Sequence, residues 1–167
     1  MAEQGLEELI AKLNSSDVVS RQEAAECLMS LGPDGQLATI ALCKAAGDSD
    51  EVVRESSVAA LEELGPPDIG DCQRLADLLP TDNSEVAYWA ATLLGRLGDA
   101  AAGQTALIAQ AVADHPSATV RQRCAWALGK IGPAARAAIS VLESALESDD
   151  ARLVRLATAA LDEIRGD

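Results

Sequence analysis

The amino-acid sequence predicts an all-α fold, an α-solenoid built from five helical hairpins stacked side by side. Aliphatic residues recur with a period of 33 or 34 residues along the whole chain. Polar residues that can cap a helix recur at the same period, and glycine recurs after each helical stretch. We therefore expect one repeat domain, 1–167, with units of approximately 1–32, 33–65, 66–98, 99–132 and 133–167.

Two aliphatic columns, three residues apart, define the second helix of each unit. The first column contains Leu28, Leu61, Leu94, Leu128 and Leu161, and the second contains Leu31, Leu64, Leu97, Ile131 and Ile164. A separation of three residues places both columns on one face of a helix, which we expect to be buried.

The first helix of each unit has its own columns, in phase with those of the second. They contain Leu9, Leu42, Leu75 and Leu142, and then Leu13, Ala46, Leu79, Val112 and Leu146. The connections are too short for anything but antiparallel packing, so each unit is predicted to be a hairpin. Ten helices and no strand follow from this division.

Cap and stop residues agree with the predicted helix ends. The residues expected at the N-cap of the second helices are Asp17, Asp50, Asn83, Ser117 and Asp150. The glycines expected to end those helices are Gly32, Gly65, Gly98 and Gly132, three of them followed by proline. The single insertion in the array falls in "ADHPSA", which predicts a slightly enlarged, solvated turn around His115.

The frame that recurs in the second helices reads "VR…A…AL…LG". It is seen in Val53, Arg54, Ala60, Leu61, Leu64 and Gly65 and again in Val120, Arg121, Ala127, Leu128, Ile131 and Gly132. This frame resembles HEAT repeats of the short, PBS-lyase-type HEAT-like kind, and the resemblance covers nearly the whole chain. It implies a right-handed superhelix whose second helices line a concave surface.

The resemblance also assigns a role to the arginines of the frame. Arg21, Arg54 and Arg121 are implied to form a ladder, bonding to neighbouring aspartates or to carbonyls at helix ends. The functional alternative is a track of guanidinium groups that binds anions. Ala87 and Val154 replace the arginine in the third and fifth units.

Composition limits the classes of protein to be considered. With 49% hydrophobic and 24% charged residues, the chain should fold as a soluble protein, and its apolar runs are too short to span a membrane. No signal peptide is visible, and we expect a cytoplasmic protein. Cys27, Cys43, Cys72 and Cys124 lack metal-binding spacing and are expected to be small buried thiols rather than disulfides or zinc ligands.

All three aromatic residues lie in the second helices of units three and four. Residues 84–140 carry 5 basic and 3 acidic side chains, whereas residues 1–83 carry 5 and 17, in a chain of net charge −14. A locally basic, aromatic region thus interrupts an acidic protein. Its candidate partner-binding residues are Tyr88, Trp89, Arg96, Arg123, Trp126 and Lys130.

Two interpretations of this region remain open. Helical spacing turns Trp126 almost opposite to the buried face, so it is expected to be exposed, with Tyr88 across a groove floored by Gly95 and Gly129. Exposed aromatic residues beside arginine are typical of binding hot spots. In the alternative, Trp89 packs between hairpins and Trp126 folds down over its neighbours.

The sequence offers little support for an enzyme. A di-iron site would need several histidines, and the chain has one, His115. An acidic chain with pI ≈ 4.3 would repel the phosphates of nucleic acid. We therefore expect a non-enzymatic scaffold or adaptor that binds a protein or peptide through repeats three and four, with no cofactor, metal, nucleic acid or membrane partner. The alternative is a subunit of an enzyme such as a bilin-lyase-like complex that handles a chromophore.

Overall fold

The computed structural model describes residues 2–166, which form ten α-helices and no strand, as the sequence predicts. The helices are α1 (Ala2–Leu13), α2 (Val18–Leu31), α3 (Thr39–Ala45), α4 (Glu51–Glu63), α5 (Cys72–Ala76), α6 (Ser84–Arg96), α7 (Thr105–Asp114), α8 (Ala118–Ile131), α9 (Ile139–Ala145) and α10 (Ala151–Arg165). They pair as five consecutive hairpins, so the prediction of an all-α array of hairpins is confirmed.

Side-chain caps begin four of the five second helices. Asp17, Asp50, Asn83 and Asp150 accept hydrogen bonds from backbone N–H groups in the first turns of α2, α4, α6 and α10. Ser117 holds the N-cap position of α8, but its side chain makes no capping bond; its hydroxyl lies 2.8 Å from that of Thr119. The cap prediction is therefore confirmed in position for all five helices and in mechanism for four.

Helix ends follow the predicted glycines with one exception. Gly32, Gly98 and Gly132 have positive φ, a conformation that favours glycine, and each opens a seven-residue 3-10 segment. These segments (Gly32–Ala38, Gly98–Gln104 and Gly132–Ala138) replace the early part of a first helix and were not anticipated from the sequence. Gly65 differs because α4 already ends at Glu63 and Leu64 is extended.

The helices form two compact units, of which the first ends at Asp68 and the second begins at Ile69. The first contains α1–α4, with Leu28, Leu42 and Leu61 fully buried. The second contains α5–α10, in which α8 packs between α6 and α10. Two predicted core positions are wrong: Leu31, the last residue of α2, is 38% exposed, and Leu146, just past the end of α9, is 36% exposed.

The arginine ladder is confirmed, and it bonds to backbone carbonyls. In each case Nη1 donates to the carbonyl six residues earlier, in the turn before the arginine's own helix, at 2.8–3.0 Å: the acceptors of Arg21, Arg54 and Arg121 are Ser15, Asp48 and His115. Arg21 also pairs with the carboxylate of Asp48 through Nε at 2.8 Å. Each arginine therefore holds the turn that precedes its helix and is not available as a free cation.

One buried polar atom in the first unit has no partner. The hydroxyl of Ser57, inside α4, is fully buried and makes no hydrogen bond. Burying a hydroxyl without a partner destabilises the folded state, and alanine is also the better helix former.

We expect Ser57→Ala to raise the free energy of unfolding by about 1 kcal/mol, measured by urea denaturation. Ser30→Ala in α2 is the matched control, because Ser30 is exposed and its hydroxyl already bonds to Glu26. The control should change stability by less than about 0.5 kcal/mol. A loss of stability in Ser57→Ala would contradict this view of the α4 core.

Candidate functional site

The six predicted binding residues lie on two neighbouring helices of the second unit. Tyr88, Trp89 and Arg96 are on α6, and Arg123, Trp126 and Lys130 are on α8. Helices α6 and α8 pack against each other, so these residues do come together. We call Tyr88, Arg123 and Trp126, with the residues around them, the arginine–aromatic cluster.

Trp89 belongs to the core rather than to the surface of this cluster. Its side chain is buried, with 6% of the residue exposed. Its ring meets Tyr88 edge to face at 6.0 Å between centroids, and the guanidinium of Arg96 lies 5.8 Å from its centroid. Trp89 thus packs as the alternative interpretation describes, and it supports Tyr88 from behind.

Trp126 is half-buried, and the expectation that it is exposed is wrong. Its ring lies over Gly95 of α6: a Cβ added to Gly95 would overlap Cζ3 of Trp126 and lie 2.9 Å from Cε3. Gly129 is likewise covered, because an added Cβ would lie 3.1 Å from the Cα of Ala160. The two glycines therefore do not floor a groove between Tyr88 and Trp126. They let Trp126 and α10 pack closely against their neighbours.

The feature that replaces the expected groove is an arginine held between two aromatic rings. The guanidinium of Arg123 lies 4.4 Å from the ring centroid of Tyr88 and 4.9 Å from that of Trp126. It also donates a hydrogen bond to the hydroxyl of Tyr88. Burial, and secondarily the charge of Arg152, lower the pKa of Arg123 from its usual value. Arg123 stays charged at neutral pH, but its charge is only partly solvated.

A cavity of about 290 Å³ opens beside Arg123. It is lined by Tyr88, Thr119, Gln122, Arg123, Trp126, Arg152 and Leu156. This lining contains two guanidinium groups, hydroxyls and an amide but no carboxylate, imidazole or thiol. No ion pair joins either Arg123 or Arg152 to an acidic side chain within residues 2–166.

The neighbouring carboxylate, Asp150, is engaged elsewhere. One of its oxygens accepts from the backbone N–H groups of Arg152 and Leu153, and the other accepts from Nε2 of Gln122 at 2.8 Å. The hydrogen bond from Gln122, followed by that from Leu153, lowers the pKa of Asp150. Asp150 is therefore fixed as the cap of α10.

A second, smaller cavity of about 90 Å³ lies beside the first, between residues of α8 and α10. It is lined by Trp126, Gly129, Lys130, Leu156, Ala159, Ala160 and Glu163. Because Trp126 and Leu156 line both cavities, the two are adjacent, and we call the surface that they form along α8 and α10 the trough. Its chemistry changes along its length, from cationic at Arg123 and Arg152 to apolar at Leu156, with Lys130 and Glu163 at the far end.

Comparison with known proteins agrees with the helical hairpins and their repeated frame. The family model of HEAT repeats matches residues 6–87 and 72–162. The chain belongs to the HEAT repeat family. Among curated proteins, none matches this sequence.

Solved structures that resemble this HEAT repeat chain include designed and natural proteins. An engineered protein has a TM-score of 0.66 at 23% identity, covering 96% of this chain and 79% of that one. A designed armadillo repeat protein in complex with the peptide (KR)4 has a TM-score of 0.61 at 19% identity, covering 93% and 80%. These two likenesses show the fold alone.

A natural likeness is the complex of CpcE and CpcF of phycocyanin lyase from Nostoc sp. PCC7120. The TM-score is 0.64 at 26% identity, and the match covers 97% of this HEAT repeat chain and 65% of the other.

Within residues 2–166 no helix has the length and apolar character to cross a membrane. No group of three or more metal-ligating side chains occurs in the same part of the chain.

His115 is buried, with 6% exposed, and does not lie in a solvated turn as expected. Its Nδ1 accepts a hydrogen bond from the backbone N–H of Ser117, so its Nε2 carries the hydrogen and faces the carbonyl of Thr81 at 3.3 Å. Thr81 stands six residues before Ala87, where the first, second and fourth HEAT repeats of this chain have the ladder arginine. His115 thus binds the carbonyl that the missing arginine would bind.

Two cysteines are buried as expected and one is not. Cys43 and Cys124 are fully buried, and burial raises the pKa of each thiol to about 12. Cys72 is partly buried. Cys27 is exposed, which contradicts the expectation of a buried thiol. None of the four cysteines forms a disulfide bond within the described residues.

Sequence reasoning missed Arg152, Leu156 and Gln122 as parts of the site. Arg152 and Leu156 lie on α10, in the fifth repeat, whereas the predicted site was confined to repeats three and four. The available signal was the absence of an acidic residue near Arg123 in sequence, which would have directed attention to the facing helix.

The contact between Gly95 and Trp126 predicts that Gly95→Ala destabilises the native protein but stabilises a variant that lacks the Trp126 ring. Gly95→Ala should lower the free energy of unfolding by about 1–3 kcal/mol because its Cβ collides with the indole ring. In a Trp126→Ala background the same change should raise stability by about 0.5–1 kcal/mol, because alanine is then free of the clash and favours the helix.

Gly5→Ala is the control for this cycle, since Gly5 lies in α1 with nothing near its missing Cβ. It should be mildly stabilising in both backgrounds. If Gly95→Ala has the same effect with and without Trp126, the contact does not exist in solution.

The position of His115 predicts a rescue. His115→Ala should lower stability by about 1–3 kcal/mol because the Thr81 carbonyl loses its donor. Adding Ala87→Arg should recover part of the loss by restoring the ladder bond seen at Arg54 and Arg121, whereas Ala87→Met should not, since methionine fills space without donating. If urea denaturation gives the same free energy of unfolding for the Ala87→Arg and Ala87→Met variants, His115 does not take the place of the ladder arginine as hydrogen-bond donor.

Proposed function

We propose that this chain is a non-enzymatic HEAT repeat scaffold that binds a protein or peptide through the second-helix, concave face of its third and fourth repeats. The observation that carries the proposal is Arg123, held between Tyr88 and Trp126 at the edge of a cavity of about 290 Å³ whose lining contains no carboxylate. A partly buried guanidinium without an acidic partner is costly to maintain unless a ligand uses it.

The contacts around Arg123 prepare it for binding. Two ring faces and the hydrogen bond to Tyr88 restrict the guanidinium before a partner arrives. Immobilising a free arginine on binding costs about 0.5–1.5 kcal/mol. Because Arg123 is already ordered in the folded protein, binding a partner would not incur this cost. Arginine and aromatic residues are also the residue types enriched at binding hot spots.

Not every predicted residue keeps the same role in this proposal. Tyr88, Arg123, Trp126 and Lys130 line the trough and would contact the partner, joined by Arg152 and Leu156. Trp89 and Arg96 stack together behind Tyr88 and would act by positioning its ring.

The lining of the trough favours binding over catalysis. General acid–base chemistry near neutral pH calls for groups such as imidazole or a carboxyl of raised pKa. The larger cavity offers hydroxyl, amide and guanidinium groups. These groups hold and orient a ligand, which is the role of a scaffold or adaptor.

The test is selection of a random heptapeptide library on the immobilised protein, followed by amide hydrogen exchange with a selected peptide. We expect peptides whose binding protects the facing surfaces of α8 and α10. The control is the cavity of about 350 Å³ beside His115, lined by Leu79 and Leu107 among others. Protection confined to that cavity, or no enrichment above the bare support, would contradict the proposal.

A second candidate function is a subunit of a bilin-lyase-like complex that handles a chromophore. The observation that favours it is the match to CpcE and CpcF of phycocyanin lyase at 26% identity. Binding of a linear tetrapyrrole to the trough, seen as a change in its visible absorbance that Arg123→Gln removes, would favour this candidate over the peptide scaffold.

A further inference from the structure

The trough carries information about the chemistry of its occupant, and this inference rests on the proposed function. At one end, Arg123 and Arg152 line the same cavity without an acidic residue in the lining. The two guanidinium groups raise each other's electrostatic energy, and Arg123 is half-buried as well. An anion bound between them would relieve both costs.

The fold itself does not supply that anion. Asp150 is the acidic side chain beside Arg152, and both of its oxygens are engaged in capping α10 and in binding Gln122. The cationic end of the trough is thus open to an external carboxylate. Arg152 also lies in the first turn of α10, where the helix dipole favours negative charge.

The remainder of the trough sets a different requirement. One turn further along, Leu156 and Trp126 line both cavities, and Ala159 and Ala160 extend the apolar surface. At the far end the charges of Lys130 and Glu163 cancel, and a bound anion is therefore not favoured there. The occupant therefore needs one acidic group and, beyond it, an apolar group.

The spacing of these features fits an extended peptide. Arg152 and Leu156 are one helical turn apart, about 6 Å, which corresponds to two residues of extended chain. The full trough, from Thr119 to Lys130, spans about 16 Å, or about five extended residues. Nucleic acid fits less well, because its regularly spaced phosphates would run from the two arginines onto Glu163 in a chain of net charge −14.

We propose that the trough between α8 and α10 binds a short extended peptide segment in which an aspartate or glutamate and an aliphatic or aromatic residue stand two positions apart. The carboxylate binds between Arg123 and Arg152, and the apolar side chain packs on Leu156 and the exposed part of Trp126.

The experiment uses the full chain and the heptapeptide selected from the random library. We expect the selected peptides to share an acidic residue and an apolar residue that stands two positions from it. Replacing the acidic residue by its amide, Glu→Gln or Asp→Asn, should weaken binding about tenfold or more by fluorescence anisotropy. In Arg123→Gln or Arg152→Gln protein this difference between the two peptides should largely disappear.

Arg155→Gln is the matched control, because Arg155 is exposed on α10 and does not line either cavity. It should leave the tenfold difference intact. Arg152 is also exposed, so Arg152→Gln keeps the test valid if Arg123→Gln disturbs folding.

The outcomes separate this inference from the proposed function. Peptides that protect α8 and α10 but contain no acidic residue would overturn the inference and leave the scaffold function standing. Failure to select any peptide would overturn both. An oligothymidylate that binds more tightly than the selected peptide and displaces it would show that the arginines serve nucleic acid instead.

Discussion

Close packing of the second helices is the constraint on which the site depends. Where α8 meets α10, Gly129 is so near Ala160 that an added methyl group would lie 3.1 Å from its Cα. Where α8 meets α6, the missing side chain of Gly95 makes room for the ring of Trp126. Since Trp126 lies down on α6, its face is turned toward Arg123, and the guanidinium is held between this face and Tyr88. A larger residue at position 95 would remove the support for the whole arrangement.

The cluster holds a positive charge, that of Arg123, which forms no ion pair with an acidic side chain in the part of the chain that the structure describes. The arginines of the ladder are satisfied internally: Arg21, Arg54 and Arg121 bind backbone carbonyls, and Arg21 also pairs with Asp48. Among the described residues, the polar and ring contacts of Arg123 are the faces of Tyr88 and Trp126 and the hydroxyl of Tyr88, which leave its charge in place. This contrast separates Arg123, which we propose binds a partner, from the structural arginines of the ladder.

The periodic features of the fold could be predicted because each is decided within a repeat. Asp50 caps α4 through its own first turn, and Leu61 is buried by the spacing of its own helix. The features that could not be predicted depend on another repeat. A helical wheel places Trp126 outward, but Gly95 of the preceding repeat lets it fold down, and His115 is buried because Ala87 leaves a carbonyl without its arginine.

The most direct test of this account is the NMR signal of the Arg123 side-chain Nε–Hε group in the free protein. If the guanidinium is stacked between Tyr88 and Trp126, its cross-peak should be displaced by ring currents from the positions of exposed arginines such as Arg155. Replacing Tyr88 by leucine should move it back toward them. A cross-peak that coincides with those of the exposed arginines, and does not respond to the loss of Tyr88, would show that Arg123 is not held in place before a partner binds.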